Sequence, residues 1–320
     1  MKKLISLALA LVICLSLAAC GSSGGSGGKK NFTVGICQLV QHPALDAATK
    51  GFRDALEEAM PGQITFDEKN ASGDAATCAT IVNGFVAGNV DLILANATPA
   101  LQAASSATQS IPVLGTAITE YGVALDIANF SGTVGGNVSG TSDLAPLDQQ
   151  AAMFDELLPA AKRIGILYCS AEANSVYQAQ VVKAVLESAG KTVTIYTFAD
   201  SNDVGAVTAQ ACGENDALYI PTDNTAASSA EAINNVAEPA GVPIICGEEG
   251  ICTACGVATL SIDYYELGRT TGAMAAKILK GESKISEMPI EYFQGPVKKF
   301  NAAMCAELGV AVPEGYEVIE

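Results

Sequence analysis

The chain has 320 residues, 49% of them hydrophobic, with 17 basic against 34 acidic side chains and a formal charge of −17. Such a length supplies ample core for one or two domains, and so acidic a balance argues against nucleic acid and anionic headgroups as partners. Tryptophan is absent and His42 is the sole histidine, so any aromatic cage must use Tyr or Phe.

The opening stretch, MKKLISLALALVICLSLAACGSSGGSGGKK, joins a basic start to an apolar run over 4–17 and to small residues ahead of Cys20. It reads as a secretory signal peptide over 1–19, too short and wrongly flanked for a permanent span. Leu17-Ala18-Ala19-Cys20 resembles the bacterial lipobox, in which the cysteine is lipid-modified and becomes the mature N-terminus. The expectation is lipid attachment at Cys20, a flexible Gly/Ser-rich linker over 20–31, and a body held outside the cytoplasm on the cell membrane. Without the leader, 15 basic residues face 34 acidic ones, a charge of −19. No later apolar run approaches the ~20 residues a span needs.

From Phe32 onward, short apolar strands alternate with amphipathic helices. Strands are predicted at 33–37, 63–67, 90–95 and 111–115, and helices at 46–59, 75–86 and 99–107. Continuous apolar strands separated by helices mark a parallel sheet covered on both faces. A Gly/Ser/Thr-rich passage, SGTVGGNVSGTSD at 131–143, interrupts the pattern. It then restarts, with helices at 146–158, 175–189, 204–212 and 225–237 and strands at 163–169, 192–198, 217–220 and 243–246. The unit ILYCSAEANSVYQAQVVKAVLESAG parallels VGICQLVQHPALDAATKGFRDALEEA, so two similar lobes are expected. Beyond 246 come a long helix ending at Gly281, a strand at 289–293 and a short helix at 301–308.

The fold class is therefore α/β, two doubly wound parallel-sheet lobes joined by a hinge that the chain crosses several times. Lobe 1 is drawn over 32–120 plus about 250–284, and lobe 2 over 121–249 plus about 285–320. Clefts between hinged lobes take small molecules.

Of the ten cysteines, Cys14 and Cys20 belong to the leader and lipobox. Cys37, Cys169 and Cys246 end apolar strands and read as buried thiols. Cys252 and Cys255 form a C-x-x-C with no second pair or nearby His to complete a metal site, which leaves plain thiols or a local disulfide. No metal or cofactor is expected. G-x-S-x-G, H-E-x-x-H and P-loop motifs are absent, so the chain is read as a non-enzyme.

Seven blocks carry a family resemblance: VGICQLVQHPALDAATKGFRDAL at 34–56, DLILANATPALQAASSAT at 91–108, IPVLGTAIT at 111–119, NVSGTSD at 137–143, RIGILYCSAEANS at 163–175, ALYIPTDNT at 217–225 and IDYYELGRTTGAMAAKILKG at 262–281. In this order they resemble the ABC transporter substrate-binding family often described as tryptophan- or tyrosine-binding, built on the type I periplasmic-binding-protein fold. The resemblance implies capture of a small solute, most simply an aromatic amino acid, and delivery to an ABC permease by a monomer. Sugar or nucleoside binding on the same fold, or sensing for a membrane receptor, are the alternatives. Gly247-Glu248-Glu249-Gly250, GICTACG and Glu120-Tyr121 depart from the family pattern and bear on the ligand rather than the fold.

A free amino acid brings one carboxylate and one ammonium into the cleft, and both need partners there. The helix starts at Thr98-Pro99 and Asn174-Ser175 suit the carboxylate. Asp223, then Glu248, suit the ammonium. Gln38, Thr116 and Asn224 complete the ligand-binding set by their place at the carboxyl ends of strands. His42, in His-Pro at a helix start, reads as a packing or capping residue before a ligand contact. Tyr121, Tyr168, Tyr177, Tyr264 and Tyr265 are the candidates for stacking.

Overall fold

The computed structural model describes residues 31–319, so the leader, the linker and the lipid site at Cys20 lie outside it. The first lobe opens with β1 (Phe32–Gln38), α1 (Pro43–Ala59), β2 (Ile64–Asn70), α2 (Ala75–Ala87), β3 (Leu92–Asn96), α3 (Thr98–Ala107), β4 (Val113–Ile118), the short α4 (Tyr121–Ala124) and β5 (Val138–Ser142). The second contains α5 (Leu147–Leu157), β6 (Arg163–Cys169), α6 (Ala173–Ser188), β7 (Thr192–Phe198), α7 (Val204–Glu214), β8 (Ala217–Ile220), α8 (Asn224–Ser228), α9 (Ala230–Ala240), β9 (Ile244–Cys246), α10 (Glu249–Cys255) and β10 (Ala258–Ser261). The chain returns through α11 (Tyr264–Leu279) and β11 (Glu291–Tyr292) and ends with β12 (Val297–Phe300), α12 (Ala302–Glu307) and β13 (Glu317–Val318).

Two sheets result. One runs β11-β5-β4-β3-β1-β2, all parallel; the other runs β13-β12-β10-β9-β8-β6-β7, with one antiparallel pair, β10 against β12. The chain passes between sheets three times, after β5, after β10 and after β11. These crossings fall later than the sequence suggests at 120, 250 and 285. The cause is β5, hidden in the Gly/Ser/Thr-rich passage. Its Gly140 pairs with Gly115 of β4, and a Cβ on Gly140 would sit 2.1 Å from the Gly115 carbonyl oxygen and 2.4 Å from the Tyr121 hydroxyl. The strand consists of small residues because a neighbouring backbone and an aromatic ring press on it, and that removes the apolar signature of a strand.

Other differences are local. The helix expected at 225–237 breaks at Ser229, whose φ of −116° and ψ of 14° leave the helical region. Residues 249–255, to which the sequence assigns no element, are helical, started by the Glu248 side chain on the amides of Gly250 and Ile251. All eight described cysteines are buried free thiols, Cys252 and Cys255 included.

Helix α1 follows its sequence closely. Leu45, Ala48, Phe52, Ala55 and Leu56 recur at helical spacing and are buried. Its partner is α11, delivered from the far end of the chain, and the two approach through glycines. A Cβ on Gly51 would lie 2.0 Å from the Tyr265 carbonyl oxygen, and one on Gly268 would lie 2.0 Å from the Ala48 carbonyl oxygen. Replacing Gly51 or Gly268 by alanine is expected to lower stability by about 2 kcal/mol, read from the urea midpoint, because backbone rather than a mobile side chain must yield. Gly84 in α2 has nothing within 4 Å of its would-be Cβ, and Gly84→Ala is expected to raise stability by about 0.5–1 kcal/mol.

Candidate functional site

The carboxyl ends of both sets of strands meet where the lobes face each other, the place where open parallel sheets bind ligands. On the lobe 1 side, β1 delivers Gln38, 5% exposed. Its Nε2 donates to the Val40 carbonyl at 2.9 Å and to Asp46 Oδ1 at 2.7 Å, and its Oε1 accepts from Thr49 at 2.6 Å. Gln38 is thus committed to fastening β1 to α1. Thr116 is equally internal, accepting from Thr271 at 3.2 Å and from Thr141 at 3.4 Å in a buried hydroxyl cluster that ties β4 and β5 to α11.

Thr98 differs. It is buried and opens α3 with Pro99 behind it, and no side chain caps that helix. The residue before it, Ala97, has φ +88° and ψ 157°, and Ala117 in the adjoining strand has φ +53°. Both lie in conformations that alanine avoids at a cost of order 1–3 kcal/mol each. They are neighbours, since the Ala97 amide donates to the Thr116 carbonyl at 3.1 Å. The strain fixes the start of α3 beside the carboxyl end of β4 and leaves its first amides without a side-chain cap.

On the lobe 2 side the carboxylates are mostly occupied. Asp223 caps α8 through the Ala226 amide at 2.7 Å, and its other oxygen accepts from the Cys169 amide at 2.7 Å. Burial and the negative Glu172 beside it raise its pKa from the usual carboxylate range. Glu248 caps α10, and burial raises its pKa against the opposing pull of His42. Each oxygen of both acids thus already accepts one backbone amide. Glu172, which the sequence reading passed over, gathers the Asn224 amide at 3.0 Å, the Asn224 side chain at 2.6 Å, the Thr225 amide and hydroxyl at 2.8 Å each, and the Asn174 amide nitrogen at 3.3 Å. Asn174 also donates to the Thr222 carbonyl at 2.9 Å, while its Oδ1 is buried without a partner. Ser175 is fully buried beside Asp223.

One hydrogen bond joins the walls directly, from His42 Nε2 to Asn224 Oδ1 at 3.2 Å. Because the Asn224 side-chain nitrogen already donates to Glu172, its oxygen must accept and His42 Nε2 must carry the proton.

The hinge adds a buried carboxylate with one unpartnered oxygen. Asp143 follows β5 at the first crossing and is 4% exposed. Its Oδ2 accepts from the Tyr264 hydroxyl at 3.0 Å, while its Oδ1 is buried with no donor. Burial pushes its pKa up to about 6, against the hydrogen bonds from Tyr264 and Thr119. Tyr264 belongs to this cluster, whereas Tyr265 faces away and donates to Asp54 at 2.9 Å. Tyr121 packs in the lobe 1 core. Asp143 left one trace in the sequence: it is the lone acid ending the small-residue run of NVSGTSD.

Four carboxylates therefore line a seam with no buried lysine or arginine among the described residues. The one buried lysine, Lys191, pairs with Asp155 at 2.7 Å and the Ala161 carbonyl at 3.0 Å at the opposite end of the lobe 2 sheet. No group of three or more His, Cys, Asp or Glu among the described residues is arranged to hold a metal ion, and no described helix is long and apolar enough to cross a membrane.

Known proteins match this architecture closely. A tyrosine-binding protein of Clostridioides difficile is 36% identical over 302 residues, spanning 90% of this chain and 87% of that one. A Streptococcus pneumoniae ABC domain in complex with L-Trp superposes with a TM-score of 0.86 at 34% identity, covering 91% of this chain and all of that one. The ligand-free, open form of a Clostridium difficile substrate binding protein with adhesive properties gives 0.68 at 35% identity, covering 90% and 99%. Residues 33–318 match the model of the ABC transporter substrate binding protein family, and the chain belongs to that non-catalytic family.

Proposed function

We propose that the chain captures one aromatic L-amino acid between its lobes and presents it to the permease of an ABC transporter. The observation that carries this reading is the buried, donor-less Oδ1 of Asp143, set with the donor-less Oδ1 of Asn174 in an acid-lined seam. Unpaired buried acceptors call for a donor-rich ligand group, and an α-ammonium offers three N–H bonds and a positive charge. The α-carboxylate then lies at the uncapped start of α3, where Thr98 and the first backbone amides meet it with the helix dipole. Gln38, Thr116, Ser175, Asp223, Asn224 and Glu248 hold the strands, helix starts and lobe contact that position these groups. The L-Trp complex and the tyrosine-binding relative support an aromatic side chain.

As a family member the protein works outside the cytoplasm. The lipobox supports the further reading that Cys20 carries lipid and tethers a monomer to the membrane through the Gly/Ser linker.

Calorimetry with tryptophan and tyrosine tests the assignment, and a response to sugars or nucleosides in place of amino acids would overturn it. Asp143→Asn is expected to weaken amino-acid binding about 100-fold, since it leaves a buried ammonium without its counter-charge. The same change is expected to leave ligand-free stability unchanged or higher, because a poorly solvated carboxylate is removed.

Binding also depends on pH in a definite direction. With its pKa raised to about 6, Asp143 in the empty cleft holds a proton below that pH, and an incoming ammonium must displace it. Affinity is expected to be flat above about pH 7 and to fall toward tenfold per unit below about 6. The same raised pKa makes the ligand-free form lose stability as pH rises from the ordinary carboxylate range through about 6, so ligand-induced stabilisation grows over that window. Asp143→Asn is expected to flatten both profiles.

A further inference from the structure

Three cysteines converge where β9 turns into α10. Cys246 ends β9, while Cys252 and Cys255 stand three residues apart in α10 and so share one face of that helix. Cys246 and Cys252 are completely buried and Cys255 is 2% exposed. Gly256, which caps α10, shows how closely they meet. A Cβ there would sit 2.3 Å from Cys246 Sγ and 3.2 Å from Cys252 Sγ, so both sulfurs border one point. The Cys246 sulfur fills the volume that a side chain at 256 would need, and glycine clears its way to Cys252.

The neighbouring thiols are held differently. Cys255 Sγ donates to the Ile251 carbonyl at 3.3 Å, and Cys305 Sγ donates to the Val257 carbonyl at 3.3 Å. Cys252 Sγ is set against Cys246 instead. Burial, with the Cys252 and Cys255 thiols beside it, raises the Cys246 pKa well above the ordinary thiol value. Between Cys246 and α10 lie only Gly247 and Glu248, so these sulfurs bracket the turn that caps the helix. The family works outside the cytoplasm, where thiols are not kept reduced.

We infer that Cys246, Cys252 and Cys255 form a thiol–disulfide site, in which Cys246 and Cys252 join as a disulfide when the chain folds in contact with a low-molecular-weight disulfide such as oxidised glutathione. Cys252, as its thiolate, attacks one sulfur of that disulfide, forms a mixed disulfide and expels a thiolate that takes up the proton Cys252 lost. Cys246, as its thiolate, then attacks the Cys252 sulfur, forms the Cys246–Cys252 bond and expels the second thiolate, which takes up the other proton. The protein loses two hydrogens, the small disulfide becomes two thiols, and Cys255 remains a thiol. Exchange needs thiolates, and the folded protein withholds that of Cys246, so the state set during folding persists. The bond ties the end of β9 to α10 and fixes the Glu248 turn between them.

The test unfolds the reduced chain in urea and refolds it either in dithiothreitol or in a glutathione buffer rich in the disulfide form. Free thiols are then blocked with iodoacetamide under denaturing conditions, and the chain is cut after glutamate, which separates Cys246 from Cys252 at Glu248 and Glu249. After oxidative refolding, mass spectrometry is expected to find the two fragments joined until reductant is added. Cys255→Ser is expected to leave them joined, and Cys252→Ser to part them. Without any substitution, Cys246 in the folded, reduced protein is expected to react with iodoacetamide about 100-fold more slowly than in urea. The disulfide form is expected to have a higher urea midpoint than the reduced form. Recovery of Cys246 and Cys252 as blocked thiols after oxidative refolding overturns the inference, as does either of them joined to a different cysteine. No amino acid enters these measurements, so they stand or fall apart from the ligand assignment.

Discussion

A carboxylate taken out of water must find donors for its oxygens, and the contact between these two lobes buries four carboxylates at once. Three meet the demand from within lobe 2. Asp223 and Glu248 accept from backbone amides where helices begin, and Glu172 collects donors from Asn224, Thr225 and Asn174. These bonds set the entry angles of α8 and α10 and hold Asn224 in reach of His42. Asp143 is met by half, through Tyr264 and Thr119, while its Oδ1 stays without a partner. The unmet half sits where the chain first leaves lobe 1, so an unpartnered acceptor and the hinge share one residue. A ligand that satisfies Asp143 also bears on the two crossings that Asp143 and Tyr264 pin together.

Lobe 1 stores strain where lobe 2 stores charge. Ala97 and Ala117 occupy backbone regions better suited to glycine, and both flank the open start of α3. Such conformations persist only where the surroundings over-determine them. Here the surroundings are the fully buried strands β3 and β4, which hold the helix start rigid before any solute arrives. One wall is thus pre-shaped by backbone, and the other is pre-charged by acids already engaged with amides.

The alternation of apolar strands with amphipathic helices made most of the fold readable, and β6, β7 and β8 match their expected limits because they are apolar and bounded by polar turns. Strand β5 was unreadable because close contact with Gly115 and Tyr121 forces small residues, and smallness is also the mark of a linker. Helix α10 was hidden because its start depends on Glu248 folding back on its own amides. At the site, residue type and strand-end position single out residues that the structure engages in internal hydrogen bonds. Asp223 and Gln38 stand at the expected places, yet their polar atoms are spent on structure, while Asp143 keeps a free oxygen. Which acid is spent depends on amides brought in from distant segments, such as Cys169 for Asp223, and single-chain patterning carries no trace of that pairing.

The glycine contact between α1 and α11 has a bearing on how the molecule comes to exist. Lobe 1 is covalently discontinuous: α1, at 43–59, packs on α11, at 264–279, with all of β6 to β10 between them. While the chain is being made N-terminus first, the apolar stripe of α1 has no permanent cover until most of the polypeptide exists. Lobe 2 has five of its seven strands, β6 to β10, in one contiguous stretch and is free to assemble ahead of it. Long-range closure of this kind is slow and leaves apolar surface exposed meanwhile. The N-terminal lobe is therefore the last to be finished, and the segment that starts the protein is the one that waits longest for its partner.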